Sequence, residues 1–221
     1  MDDTLWAFSL NARDTYEEMY WKYGYDRYFD SFEHYYLLYQ RRNLDLWAEY
    51  ADGKVTKEEL NRQRYLYPLE AVGAGDSTLA KAYERDALAM IPTKSKLMPH
   101  AREVLEYLSG KYNLYILSNG FKELQSHKMR SSGIDEYFKK LVLSDDIGIL
   151  KPWPEIFHFA LSTTQSELNN SLMIGDSWEN DIVGAAGVGM HQVFYNLSGR
   201  TDLPFAPTYQ ITDLKDLFNF L

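Results

Sequence analysis

An apolar run, Leu114 to Leu117, ends in Ser118-Asn119-Gly120, which sets a hydroxyl, an amide and a glycine at the tip of a strand. Such a tip offers hydrogen-bond donors and close backbone approach to an anion. The same three residues also suit a plain strand-to-helix turn with a Ser or Asn cap. A second run, Leu172-Met173-Ile174, ends in Gly175-Asp176-Ser177, and Asp181 follows five residues after Asp176. One carboxylate on a strand tip and one in the first turn of the next helix can converge on a hard cation such as Mg²⁺. Asp176 or Ser177 can equally act as a helix cap. Lys151 precedes Pro152, whose ring biases the lysine backbone toward an extended form that could aim its ammonium, although a lone lysine also suits an open surface. Near the start, Asp2-Asp3-Thr4-Leu5-Trp6 places two acids beside a hydroxyl.

These groups need elements to hold them. From about residue 99 onward, apolar runs (114–117, 141–143, 172–174, 192–195, 209–211) alternate with amphipathic stretches (101–108, 122–131, 155–162, 180–186, 214–221). The alternation predicts βαβ units, hence an α/β fold with a doubly wound parallel sheet covered by helices on both faces. In such sheets ligands gather at the carboxyl ends of strands. Residues 12–92 differ. Tyr16, Met19, Tyr20 and Tyr23, then Phe32, Tyr35, Tyr36 and Tyr39, recur at helical spacing, and no strand run is present. Asp52-Gly53 marks a turn, and Thr56 to Glu59 fits a capping box. The expected division is an α/β core over 1–11 and 93–221 with an all-helical insert over 12–92.

The 221 residues carry a net charge of −9, with 45 % apolar residues, 25 % charged residues and no cysteine. Disulfides, thiolate metal sites and cysteine nucleophiles are therefore excluded. The negative balance argues against a nucleic-acid backbone or an anionic membrane as the main partner. No apolar stretch approaches the roughly 18–20 residues of a membrane span. The opening residues lack the basic and apolar regions of a secretory signal, so a cytoplasmic location is expected. Gly184, Gly187 and Gly189 follow a helical stretch and precede a strand, the reverse of a dinucleotide fingerprint, and read as a helix end. The five histidines show no zinc-protease spacing.

Taken in order, Asp2-Asp3-Thr4-Leu5, Ser118-Asn119-Gly120, Lys151-Pro152 and Gly175-Asp176-Ser177 with Asp181 resemble the motifs of the haloacid dehalogenase-like hydrolase superfamily. The resemblance covers the whole chain, and it places a helical cap where the insert lies. Leu46 to Tyr50, Gly53, Thr56 and Ser118 to Phe121 look like the branch of noncanonical pyrimidine 5′-nucleotidases. The resemblance implies a Rossmann-like core and Mg²⁺-dependent phosphomonoester hydrolysis through an aspartyl-phosphate, with a nucleoside 5′-monophosphate as the expected small phosphorylated substrate. A monomer or homodimer is expected.

In the matching register Asp2 is the second aspartate of an Asp-x-Asp-x-Thr motif, and Thr4 is its threonine. The nucleophilic aspartate would then precede Met1, together with a central strand apparently missing from the chain. Asp2 would be general acid/base and, through its backbone carbonyl, a ligand of Mg²⁺. Asp176 would bind the metal, with Asp181 in support. Ser118, Asn119 and Gly120 would hold phosphoryl oxygens, and Lys151 would neutralise charge. Asp2 could serve as an acid near neutral pH only if neighbouring carboxylates raised its pKa. The insert, rich in tyrosine, could act as a lid that stacks a base and excludes water. Two other outcomes stay open at this level: a metal-free 2-haloacid dehalogenase, and an inactive relative that binds phosphate or a partner.

Overall fold

Leucine- and β-branched runs bounded by turn residues build the strands of this protein, and the computed structural model describes residues 1–221. The chain divides into two units, residues 1–8 with 95–221, and residues 9–94.

In the first unit β1 (Leu114–Ser118) pairs in parallel with β2 (Phe138–Leu143), Ile116 lying opposite Leu141 and Ser118 opposite Leu143. A second parallel sheet has the order β3 (Leu172–Gly175), β4 (His191–Tyr195), β5 (Tyr209–Ile211). The expected α/β architecture with parallel strands is therefore present. The two sheets share no ladder. Between the edges of β1 and β3 lies a cavity of about 650 Å³, lined by Leu114 to Leu117, Leu172 to Ile174, and Met1.

Helix α5 (Ala101–Ser109) borders this cavity with Val104, Leu105 and Leu108. Its apolar stripe is shared between two clusters. Ala101, Val104 and Leu108 pack with Val193, Tyr195 and Ile211 of the three-stranded sheet. Leu105 packs instead with Ile116 of β1, and with Met129 and Ile134. Each such fully buried aliphatic side chain contributes roughly 1.5–3 kcal/mol. Helices α6 (Lys122–Ser131) and α7 (Pro154–Thr164) follow β1 and β2.

Two stretches differ from their expected form. Residues 178–187 begin as a π-helical turn, Trp178–Val183, and only then become α8 (Gly184–Gly187). The Ile182 N–H reaches back five residues to the carbonyl of Ser177, widening the turn. The C-terminal stretch forms a 3₁₀ turn over Leu214–Asn219, with Asp213 accepting from the Lys215 N–H, rather than a full amphipathic helix. Of the three glycines expected to end the helix, Gly184 opens α8, Gly187 is its last residue, and Gly189 follows it at φ 80°.

The first residues are tied down. The N–H groups of Leu5 and Trp6 both donate to the Met1 carbonyl, at 3.0 and 3.1 Å. Trp6, fully buried, bridges to Leu97, and the Met98 N–H donates to the Leu5 carbonyl at 2.8 Å.

The second unit is helical: α1 (Phe8–Lys22), α2 (Phe32–Ala51), α3 (Lys57–Ala71) and α4 (Ser77–Met90). Thr56 and Glu59 form the expected reciprocal capping box on α3, and Asp76 caps α4. The aromatic stripes meet in its core. Tyr16, Tyr20, Tyr25, Tyr35, Tyr65 and Tyr83 are fully buried, and the Tyr16 and Tyr39 hydroxyls share a hydrogen bond of 2.6 Å. These rings serve packing, which answers why so many tyrosines precede residue 92. No helix in either unit is long and apolar enough to cross a membrane.

Candidate active site

Every site residue expected from the sequence lies in the first unit, at the carboxyl ends of β1 and β3 or on the loops beside them. The strand ends do the positioning. β1 delivers Ser118 on its last residue, and β3 delivers Asp176 directly after Gly175. The segment from Met1 to Thr4 joins the two tips. Thr4 Oγ1 donates to Asp176 Oδ1 at 2.6 Å, while the Asp2 carboxylate accepts from Gln125 Nε2, which also donates to Ser118 Oγ.

Lys151 is buried and donates to Asp181 Oδ1 at 2.5 Å and to the Leu117 carbonyl at 3.0 Å. The other Asp181 oxygen accepts from the Ser177 N–H at 3.1 Å. The π turn is what brings Asp181 inward: Ser177 accepts from both Asp181 and Ile182 along the backbone. Asn119 spends its side chain on the Lys151 backbone, donating to the carbonyl at 3.0 Å and accepting from the N–H at 2.8 Å. Its amide side chain thus fixes the lysine loop. An anion would meet the Asn119 backbone instead.

The strand-tip glycines have a use that the sequence pattern does not disclose. A Cβ at Gly120 would sit 2.1 Å from Gln125 Nε2, and one at Gly175 would sit 2.2 Å from Asp181 Oδ2. Both glycines make room for a helix side chain to reach back over the strand end.

The condition for Asp2 to act as an acid near neutral pH is not met. Burial pushes the Asp2 carboxyl up, but the Lys128 charge, the Met1 ammonium and hydrogen bonds from Lys128 and Gln125 outweigh it, and Asp2 is held below its ordinary range. No neighbouring carboxylate raises it, because the lysine is the closer group, at 2.8 Å. Asp176 behaves in the opposite way: burial, helped by the charge of Asp181, raises its pKa against the opposing Met1 ammonium and the Thr4 hydrogen bond. Burial and the Lys151 charge depress the Met1 ammonium, which lies among the charges of Asp181, Asp176 and Asp2.

The donor set suits a magnesium ion of the usual kind. No three carboxylate or imidazole groups come together as a cage. Mg²⁺ ordinarily takes one or two carboxylates plus water and substrate oxygens. Asp176 has one oxygen held by Thr4 and is pushed toward protonation by burial and a like charge, a strain that a cation would relieve. Asp181 is occupied by Lys151, and the Asp2 carboxylate by Lys128 and Gln125.

Sequence reasoning missed Gln125 and Lys128. Their spacing on α6, one turn past Ser118-Asn119-Gly120, was the available signal.

A family model described as haloacid dehalogenase-like hydrolase matches residues 1–189. The chain is 31% identical over 185 residues to the pyrimidine 5′-nucleotidase YjjG of Escherichia coli, covering 83% of this chain and 80% of the relative. It is 29% identical over 196 residues to the (S)-2-haloacid dehalogenase 4A of Burkholderia cepacia, covering 84% of this chain and 80% of the relative. The crystal structure of the Bacillus subtilis protein YfnB, described as a putative hydrolase bound to magnesium, superposes with a TM-score of 0.87 at 26% identity, covering 100% of this chain and 95% of that one.

Proposed function

For this chain, which belongs to the haloacid dehalogenase-like hydrolases, we propose Mg²⁺-dependent hydrolysis of a phosphomonoester, with a pyrimidine nucleoside 5′-monophosphate as substrate. The observation that carries this is the gathering of Ser118, Lys151, Asp2 and Asp176 at the ends of two parallel strands, with Thr4 and Gln125 tying them together. The similarity to a pyrimidine 5′-nucleotidase supports the choice of substrate.

Each group has work to do. The Ser118 hydroxyl and the Asn119 and Gly120 backbone hold phosphoryl oxygens. The Lys151 ammonium, fixed by Asp181 and the Leu117 carbonyl, neutralises their charge. Asp2, held as its carboxylate, is the base that takes the proton of the hydrolytic water; in that form it has none to give the leaving oxygen, which takes its proton from solvent. Asp176 and the Asp2 backbone carbonyl would hold Mg²⁺, with Asp181 in support; when bound, the ion supplies positive charge where phosphoryl transfer needs it. A covalent route requires a carboxylate nucleophile. The Met1 amino nitrogen is set among Asp2, Lys151, Asp176 and Asp181. The helical unit, expected as a cap over 12–92, is assigned the choice of substrate.

The test is phosphate release from a panel of nucleoside monophosphates, dUMP and dTMP included, with Mg²⁺ or with EDTA. Both the 221-residue chain and a version extended upstream in its natural reading frame should be assayed. Magnesium-dependent release, greatest with pyrimidine nucleotides, is expected. No release by either form overturns the function. Similarity to a haloacid dehalogenase favours one second activity; halide release from a 2-haloacid in the presence of EDTA would establish it.

A further inference from the structure

Both oxygens of the Asp2 carboxylate are held by residues with no assigned role. Gln125 Nε2 donates to Oδ2 at 2.9 Å, and Lys128 Nζ donates to Oδ1 at 2.8 Å. The two donors stand three residues apart on α6 and share one face of that helix. Neither is a surface group. Gln125 is fully buried and Lys128 is 4 % exposed. The Lys128 ammonium also lies over two rings, 4.6 Å from the centre of Trp6 and 5.2 Å from that of Phe8. A buried lysine is costly unless paired, and aromatic faces lower that cost while accepting no hydrogen bond that competes with the carboxylate.

Gln125 does a second thing. A serine hydroxyl has one hydrogen to give and two lone pairs to receive. At Ser118 Oγ both acceptor places are filled, by Gln125 Nε2 at 2.8 Å and by the Gly120 N–H at 3.1 Å. The hydroxyl hydrogen is therefore left to point away from both. The amide cannot be turned over, since its oxygen would then face the Asp2 carboxylate; that oxygen is buried without a partner. Gly120 leaves the space this amide occupies.

We propose that Gln125 and Lys128 are positioning residues of the phosphatase: together they fix the Asp2 carboxylate, and Gln125 also turns the Ser118 hydroxyl outward as a donor to the phosphoryl group. The role rests on the phosphatase function proposed above. It makes α6 the element that sets the distance between the Asp2 carboxylate and the phosphate-binding hydroxyl.

The test compares Lys128→Met, Gln125→Leu and the double variant, using whichever form of the chain is active on a nucleoside monophosphate. Lys128→Met should lower kcat by roughly 10–100-fold with KM within about twofold. Gln125→Leu should lower kcat by a similar factor and raise KM as well. Because both act through one carboxylate, the double variant should lose about as much as the worse single one. Unchanged kcat in both single variants, or losses that multiply in the double one, would overturn the proposal. If Lys128→Met does not fold, Gln125→Asn carries the test: the shortened amide should cost about tenfold or more in kcat with the melting temperature unmoved, and wild-type kcat would overturn it. An unmodified protein inactive on every monophosphate would overturn the function and this role together. An active one with indifferent variants would overturn the role alone.

Discussion

The ammonium of Lys151 and the carboxylate of Asp181 meet at 2.5 Å, with both side chains almost wholly removed from water. Removing one partner of such a pair leaves a buried charge uncompensated, which costs about 3–5 kcal/mol, whereas replacing both costs far less. Lys151→Met and Asp181→Asn should therefore each lower the urea midpoint sharply, and the Lys151→Met/Asp181→Leu double variant should recover much of the loss. A double variant less stable than either single one would contradict the pairing. All three should lack phosphatase activity.

Asp176→Asn should separate stability from function. The Asp176 carboxyl has its pKa raised, so the unfolded chain ionises first as pH rises, and the native state carries a penalty that is complete above the raised value. The neutral amide escapes that penalty and can still accept from Thr4. Its melting temperature at pH 7 should rise by a few degrees, and added Mg²⁺ should stabilise the wild type but not the variant. Thermal melts with and without the metal decide this.

Asp2 has the reverse sign. Its lowered pKa gives stability that is fully present above the ordinary carboxylate value of about 3.9 and is lost as pH falls through the lowered folded value. The stability difference between wild type and Asp2→Asn should be constant from pH 5 to 7 and should shrink below about pH 4. Urea unfolding across that range measures it. A difference that grows in acid would mean that the Lys128 pairing does not hold Asp2 ionised.

Gly175→Ala probes the strand tip. The added methyl would lie 2.2 Å from Asp181 Oδ2, and Asp181 cannot yield freely because Lys151 holds its other oxygen. A loss of about 1–3 kcal/mol is expected from the forced shift, with kcat falling alongside. Gly187→Ala, where a methyl would meet nothing within 4 Å, is the control and should leave the urea midpoint close to that of the wild type.

The apolar runs and their end residues were legible because strand, turn and cap preferences are local. Ser118, Lys151, Asp176 and Asp181 could be named from the pattern around each one. What joins them was not legible. Gln125 and Lys128 reach Asp2 across 123 and 126 residues, and a helix-surface periodicity says nothing about which distant carboxylate a buried amide or ammonium will find. A second use of Gly120 was hidden for a related reason: glycine permits close approach of any group, and only the fold shows that it also leaves room for Gln125. The π turn at Trp178–Val183 also escaped, since one extra residue in a turn leaves no compositional mark.

The cavity between β1 and β3 bears on how the core opens. With no ladder joining the two sheets, α5 spans them, giving Val104 and Leu108 to one cluster and Leu105 to the other. Amides on the two facing edges lack strand partners, so their protection against hydrogen exchange rests on local opening. Amides of β4, paired on both sides, should report the global unfolding free energy. Exchange should thus divide the α/β unit into two cooperative blocks of unequal lifetime, with α5 as the strut whose release uncouples them.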